Sequence, residues 1–127
     1  MFNMTEKQKF VESMKFRTTK FAIDVILFCD SLKQKKASSV ITYQLIKSAT
    51  STAANYRAAC RARSKKEFFS KLCIVVEESD ETEFWLELIR ETGLSTDPDF
   101  LEMIRNEAME VMKIMTKAKN SIYSKQF

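Results

Sequence analysis

One hundred and twenty-seven residues suffice for one domain with its own apolar core and leave no room for a second. One glycine and one proline are too few for the turns of a sheet protein, and the absence of histidine removes the commonest general base and metal ligand, along with every Ser-His and Cys-His nucleophile pair. The net charge of +4 permits an anionic partner without requiring one.

The chain opens MFNMTEKQKFVESMKF, which has neither a basic segment followed by an apolar one nor a cleavage site. Residues 1–12 read as a frayed, partly helical lead-in to a bundle domain spanning 13–127. No apolar run reaches membrane-spanning length, so no membrane partner and a cytosolic location are expected. Cys29, Cys60 and Cys73 are odd in number, widely spaced and form no CxxC, which argues for core thiols in a reducing compartment rather than a disulfide or zinc framework.

A first helix is expected from about Ser13 to Leu32. Between Phe21 and Cys29 every residue except Asp24 is apolar, more than one buried face needs, which predicts burial from two sides. After a Lys-rich turn a second helix runs from about Ala37 to Arg63, with Ser38 or Ser39 as N-cap and Ile41, Leu45, Ala49, Thr52, Tyr56 and Cys60 at helical spacing. The small-residue run from Ser48 to Ala54 suits a close helix contact, its hydroxyls folding back on the preceding turn.

Ser64-Lys-Lys-Glu67 has the form of a capping box and should start a third helix that reaches about Glu91. Its main stripe is Phe68, Leu72, Val75, Ser79, Thr82 and Leu86. A second face carries Ile74, Trp85 and Leu88 interleaved with Glu77 and Glu81, and two sticky faces on one helix predict self-association across these five residues. Thr92-Gly93 supplies a stop, and Asp97-Pro98 an N-cap followed by proline at the first helical position. Leu101, Ile104, Ala108, Val111, Met115, Ala118 and Ile122 then form a narrow seam three and four residues apart. Four helices with short connections predict an all-α, antiparallel up-down-up-down four-helix bundle.

Little in this chain resembles catalytic chemistry. The single glycine excludes phosphate-cradling glycine loops, and the Glu-x-x-His pattern of di-iron bundles is impossible. Glu77 and Glu81, four apart with Glu78 and Asp80 nearby, are read as a solvated or interfacial acidic face rather than a metal site. No catalytic residue, metal or cofactor is assigned. The basic residues are more suggestive: Lys47, Arg57 and Arg61 share one arc of the second helix opposite its apolar stripe, and Arg63, Lys65 and Lys66 cluster at the next turn. Such a strip suits phosphate contacts; with only Tyr43 on the same arc, base stacking is not its strength.

Three segments carry a family resemblance: Gln44-Leu-Ile-Lys-Ser-Ala-Thr-Ser-Thr-Ala-Ala-Asn55, then Tyr56-Arg-Ala-Ala-Cys-Arg-Ala-Arg-Ser64-Lys-Lys-Glu-Phe68, and Glu77-Glu-Ser-Asp-Glu-Thr-Glu-Phe-Trp-Leu-Glu-Leu88. Over roughly Phe16 to Leu88 the chain resembles the bacterial four-helix-bundle proteins encoded in intervening sequences of 23S ribosomal RNA genes, whose relatives include the accessory variability proteins of diversity-generating retroelements. The resemblance implies an antiparallel bundle assembled as a pentameric ring, and in the accessory relatives binding to nucleic acid and to a reverse transcriptase. Two departures stand out. Lys47 replaces a more usual arginine, and Tyr56-Arg57-Ala58 replaces the family's common Ala-Glu-Gly, so basic character survives while a bidentate contact at Lys47 is lost.

Two functional expectations follow. One is a homo-oligomeric, non-enzymatic scaffold that binds RNA or DNA backbone through Lys47, Arg57, Arg61, Arg63, Lys65 and Lys66. The other is a protein-protein adaptor in which those cations pair with Glu77, Glu81 and their neighbours across subunits. A metal-dependent enzyme built on the acidic cluster is a distant third.

Overall fold

The computed structural model describes residues 3–126 and consists of four α-helices: α1 Glu6–Cys29, α2 Ser38–Cys60, α3 Lys65–Thr92 and α4 Pro98–Gln126. Each packs on its neighbours in sequence and α1 also meets α4, while the diagonal pairs make no close backbone approach among the described residues. The result is the expected all-α bundle. Its antiparallel register is fixed by the Ser48 and Thr82 hydroxyls 2.9 Å apart, the Arg17–Glu107 ion pair at 2.7 Å and the Phe69–Tyr123 ring contact.

Helix α1 starts at Glu6 rather than near Ser13, so most of the expected lead-in is ordered. The reason is a capping box that the apolar pattern did not reveal: Thr5 Oγ1 accepts from Gln8 N at 3.1 Å, and Gln8 Oε1 accepts from Thr5 N at 2.8 Å. Burial from two sides within the protomer is also overturned. Phe21, Ala22, Val25, Phe28 and Cys29 are buried, but Ile23, Ile26 and Leu27 face outward.

Neither Ser38 nor Ser39 caps α2, whose N-cap is Ala37 without a side-chain bond. Ser38 Oγ is spent on the turn itself, accepting from Lys35 N and donating to the Lys33 carbonyl. Only half of the expected capping box at Ser64–Glu67 forms. Ser64 Oγ accepts from Glu67 N at 3.0 Å, while the Glu67 carboxylate pairs with Arg63. Asp97 does cap α4, accepting from Phe100 N at 3.1 Å.

The core consists of two apolar clusters along the bundle axis. One gathers Phe28, Leu45, Leu86, Ile89 and Ile104 near the α1–α2 and α3–α4 turns, and the other gathers Met14, Tyr56, Leu72, Val75 and Met115 toward the opposite end. Small residues let α2 and α3 approach over a long stretch: Ser48, Ala49 and Thr52 are fully buried, as are Ser79 and Thr82 on the facing helix. Thr18, Thr52 and Thr82 satisfy their hydroxyls on carbonyls four residues back, so these polar groups are buried without an unpaired donor, and half-buried Thr50 does the same. At the first end the two turns are stitched together by Lys33 N donating to the Leu94 carbonyl at 2.8 Å and Thr96 N to the Ser31 carbonyl at 3.2 Å.

Candidate nucleic-acid interface

All six cations of the strip are solvent-exposed in the protomer. The structure nevertheless divides them. Arg57 and Arg61 lie at the C-terminal end of α2, Arg63 in the turn and Lys65 and Lys66 in the first turn of α3, so five charges gather at one end of the bundle. Lys47 stands about 15 Å further along α2 and turns toward α3, where its field acts on Glu78. The three-residue arc and the three-residue turn cluster read from the sequence are therefore regrouped as a five-residue cluster plus one outlying lysine.

The two helix ends in that cluster differ electrostatically. Arg57 and Arg61 sit where the carbonyls of α2 point and are favoured there, whereas Lys65 and Lys66 sit at the positive end of α3, where a cation is disfavoured in the free chain. Glu67 is the acidic residue of that first turn, and it is engaged by Arg63 at 3.6 Å. An anion placed against this turn would meet two ammonium groups and the helix end together.

Among the proposed interface residues, Glu77 and Glu81 are exposed, while Ile74, Trp85 and Leu88 are half-buried beside the α2–α3 seam. The Trp85 indole packs against the core and edge-on to Phe84 with ring centroids 5.0 Å apart, and its Nε1 is sealed without a hydrogen-bond partner. Burial in the seam, then the neighbouring Glu81, push the Glu78 carboxyl above its ordinary range, against a Ser51 hydrogen bond and Lys47. Among the described residues no group of three or more Cys, Asp or Glu side chains converges as metal ligands would, and no helix is long and apolar enough to cross a membrane.

Sequence reasoning missed the scale of charge segregation. Twelve of the seventeen carboxylates fall within residues 77–110, which contain Arg90 and Arg105 as their sole cations. The end of α3 and the start of α4 thus form an acidic hairpin, with a groove of about 360 Å³ lined by Asp80, Glu83, Phe84, Glu87, Arg105 and Met109. Beyond Glu110 the sign reverses: α4 adds Lys113, Lys117 and Lys119 to the basic end, residues read only as part of a seam helix. A tally of charge by segment, rather than by helix face, would have found both. The apolar surplus noted between Phe21 and Cys29 emerges as an outward stripe of Ile23 and Leu27, to which Phe16, not singled out in the sequence, adds a third residue on the same face.

Comparison with known proteins supplies a context for this geometry. The family described as 23S rRNA-intervening sequence protein matches residues 13–117. A crystal structure of a protein of unknown function from the S23 ribosomal protein family of Bacteroides thetaiotaomicron is 31% identical, with a TM-score of 0.77 over 87% of this chain and 97% of that one. No curated protein matches the chain.

Proposed function

The chain belongs to the 23S rRNA-intervening sequence protein family, and from that premise we propose that it is a non-enzymatic, homo-oligomeric scaffold that binds the backbone of RNA or DNA. The observation that carries this reading is the cluster of Arg57, Arg61, Arg63, Lys65 and Lys66, five exposed cations at one bundle end, where Glu67 pairs with Arg63 and Glu12 with Lys15. Phosphates bound there would neutralise charge that the folded protomer leaves largely unpaired, and Lys47 would extend the contact along α2. We take the assembly to be the pentameric ring that the family resemblance implies, with Ile74, Glu77, Glu81, Trp85 and Leu88 at the subunit contact. A ring repeats the cluster about its axis and multiplies a field that one protomer supplies weakly. We place it in the cytoplasm, where its three free thiols stay reduced.

One observation favours a second reading. Lys47 already acts on Glu78 within the protomer, which supports an adaptor whose cations are spent on the acidic row of α3. Reversing Arg57 and Arg61 to Glu separates the two. Binding to structured RNA, single-stranded RNA and duplex DNA is measured at low and near-physiological salt, with oligomeric mass recorded on the same samples. The expected result is affinity at least tenfold weaker with unchanged mass. Loss of the oligomer supports the adaptor, and no binding by the natural sequence even at low salt sinks the nucleic-acid reading.

A further inference from the structure

The arc on α2 is short of aromatics, but the return of α4 brings one to the basic end. Tyr123, near the C-terminal end of α4, meets Phe69 in the second turn of α3 with ring centroids 5.9 Å apart and planes tilted by 39°. Phe69 is half-buried, whereas Tyr123 keeps 56% of its surface exposed. Lys65 and Lys66 precede Phe69 by four and three residues and Lys119 precedes Tyr123 by four, so on each helix a cation stands one turn from the ring on its own face. Because α3 and α4 are antiparallel, the ring pair lies between these cations along the bundle axis.

The surroundings carry one sign of charge. From Val111 onward the chain has no acidic side chain, and between Lys65 and Val76 it has only Glu67, which Arg63 engages at 3.6 Å. Beside Tyr123 the outer surface of α4 holds a shallow groove of about 770 Å³ whose lining includes Lys113, Lys117, Asn120, Ser121 and Ser124. Its amide and hydroxyl groups can bond to base edges and sugar hydroxyls. A clamp joining two helix ends needs only apolar bulk buried between them. Here the more exposed member of the pair is an aromatic ring set among cations, the combination by which proteins hold unpaired nucleotides.

We propose that Tyr123, backed by Phe69, stacks against an unpaired base of the bound nucleic acid while Lys65, Lys66 and Lys119 hold its flanking phosphates. The preferred partner is then a single-stranded segment, since in a duplex the bases are stacked on one another and do not offer a face. Stacking is sequence-tolerant because every base has a π-face, so no strong base preference is expected. This inference rests on the proposed phosphate contacts and adds to them the strandedness that the cations alone do not select.

The test compares three probes of one length at low salt: an unstructured single-stranded RNA, the duplex it forms with its complement, and a strand of abasic sites that keeps the phosphates without the bases. The single strand should bind about fivefold or more tightly than the abasic strand. Tyr123→Leu, which keeps apolar bulk against Phe69, should erase that difference and leave affinity for the duplex and the abasic strand unchanged, while Tyr123→Phe should preserve it. Equal affinity of the natural sequence for the single and abasic strands overturns the platform, and so does a difference that survives Tyr123→Leu. Salt-sensitive binding in either case leaves the phosphate-binding reading standing. Absence of binding to all three probes removes that reading and the platform with it. The comparison of single and abasic strands needs no variant, so it decides the proposal even if Tyr123→Leu unfolds.

Discussion

Glu83 lies in the α3–α4 groove with Asp80 and Glu87 on its own helix and Arg105 and Lys113 across from it. Burial pushes its carboxyl above the ordinary range, and the two neighbouring carboxylates add to the shift more than the cations offset it. A group that binds its proton more readily folded than unfolded stabilises the fold below its unfolded pKa and loses that contribution as pH rises through the folded one. At neutral pH Glu83 is therefore a small liability. Glu83→Gln should stabilise the protein there by about 0.5 kcal/mol, solvent screening keeping the gain small. The gain should narrow toward zero as pH falls into the carboxylate range, as read by urea unfolding of both proteins across that window. The residues that best resisted sequence reading share one physical trait: their partners lie on another element. Glu78 was legible as a carboxylate in a row, but its position under Ser51 and Lys47 depends on how closely α2 and α3 pack. The Trp85 indole, flagged as interfacial from its spacing, is already half-covered by its own seam.

At the scale of elements, helix starts and stops turned on one or two residues each. Asp97-Pro98 and Thr92-Gly93 were legible because each device is local: an Asx cap ahead of proline, and a glycine in the left-handed region at φ 66°. Gly93 N donates to the Arg90 carbonyl and Leu94 N to the Ile89 carbonyl, both at 3.2 Å, closing α3 in a Schellman turn with Leu94 buried in the core. A Cβ on Gly93 would meet nothing within 4 Å, so its replacement is resisted by the backbone alone. Gly93→Ala should cost about 1–2 kcal/mol, the expense of a left-handed residue with a side chain, measured as a fall in unfolding free energy without change in helix content. The start of α1 escaped prediction because Thr5 and Gln8 precede any apolar periodicity, so a cap was present with no core-facing stripe to announce it. The misread role of Ser38 has the opposite cause. Its sequence position suits an N-cap, yet the tight turn after Leu32 claims the hydroxyl first.

For the whole molecule, the bundle was legible because helical stripes with short connections admit few packings; the stripes of α2, α3 and α4 supply most of the core, which Met14, Ile89 and Leu94 join from outside them, while Cys60, Phe68, Ala118 and Ile122 stay partly buried. The candidate site was legible only in part. Residues 57–66 are contiguous enough for their charges to be seen gathering, whereas Lys113, Lys117 and Lys119 reach the same half of the bundle through the return of α4, which only the antiparallel register reveals. The segregation matters for function because a net charge of +4 is the residue of a strongly acidic hairpin and a more strongly basic remainder. An approaching polyanion is steered toward the basic end and away from residues 77–110, so binding should depend on cations that make no contribution to the α2 strip itself. Reversing Lys113 and Lys117 to Glu tests this. If these lysines touch phosphates, duplex affinity should fall at least tenfold near physiological salt. The slope of log affinity against log salt should then flatten by about 0.9 for each phosphate no longer neutralised. An unchanged slope with weaker affinity would assign them to steering alone, and unchanged affinity would confine the interface to Lys47 and the five cations around the α2–α3 turn.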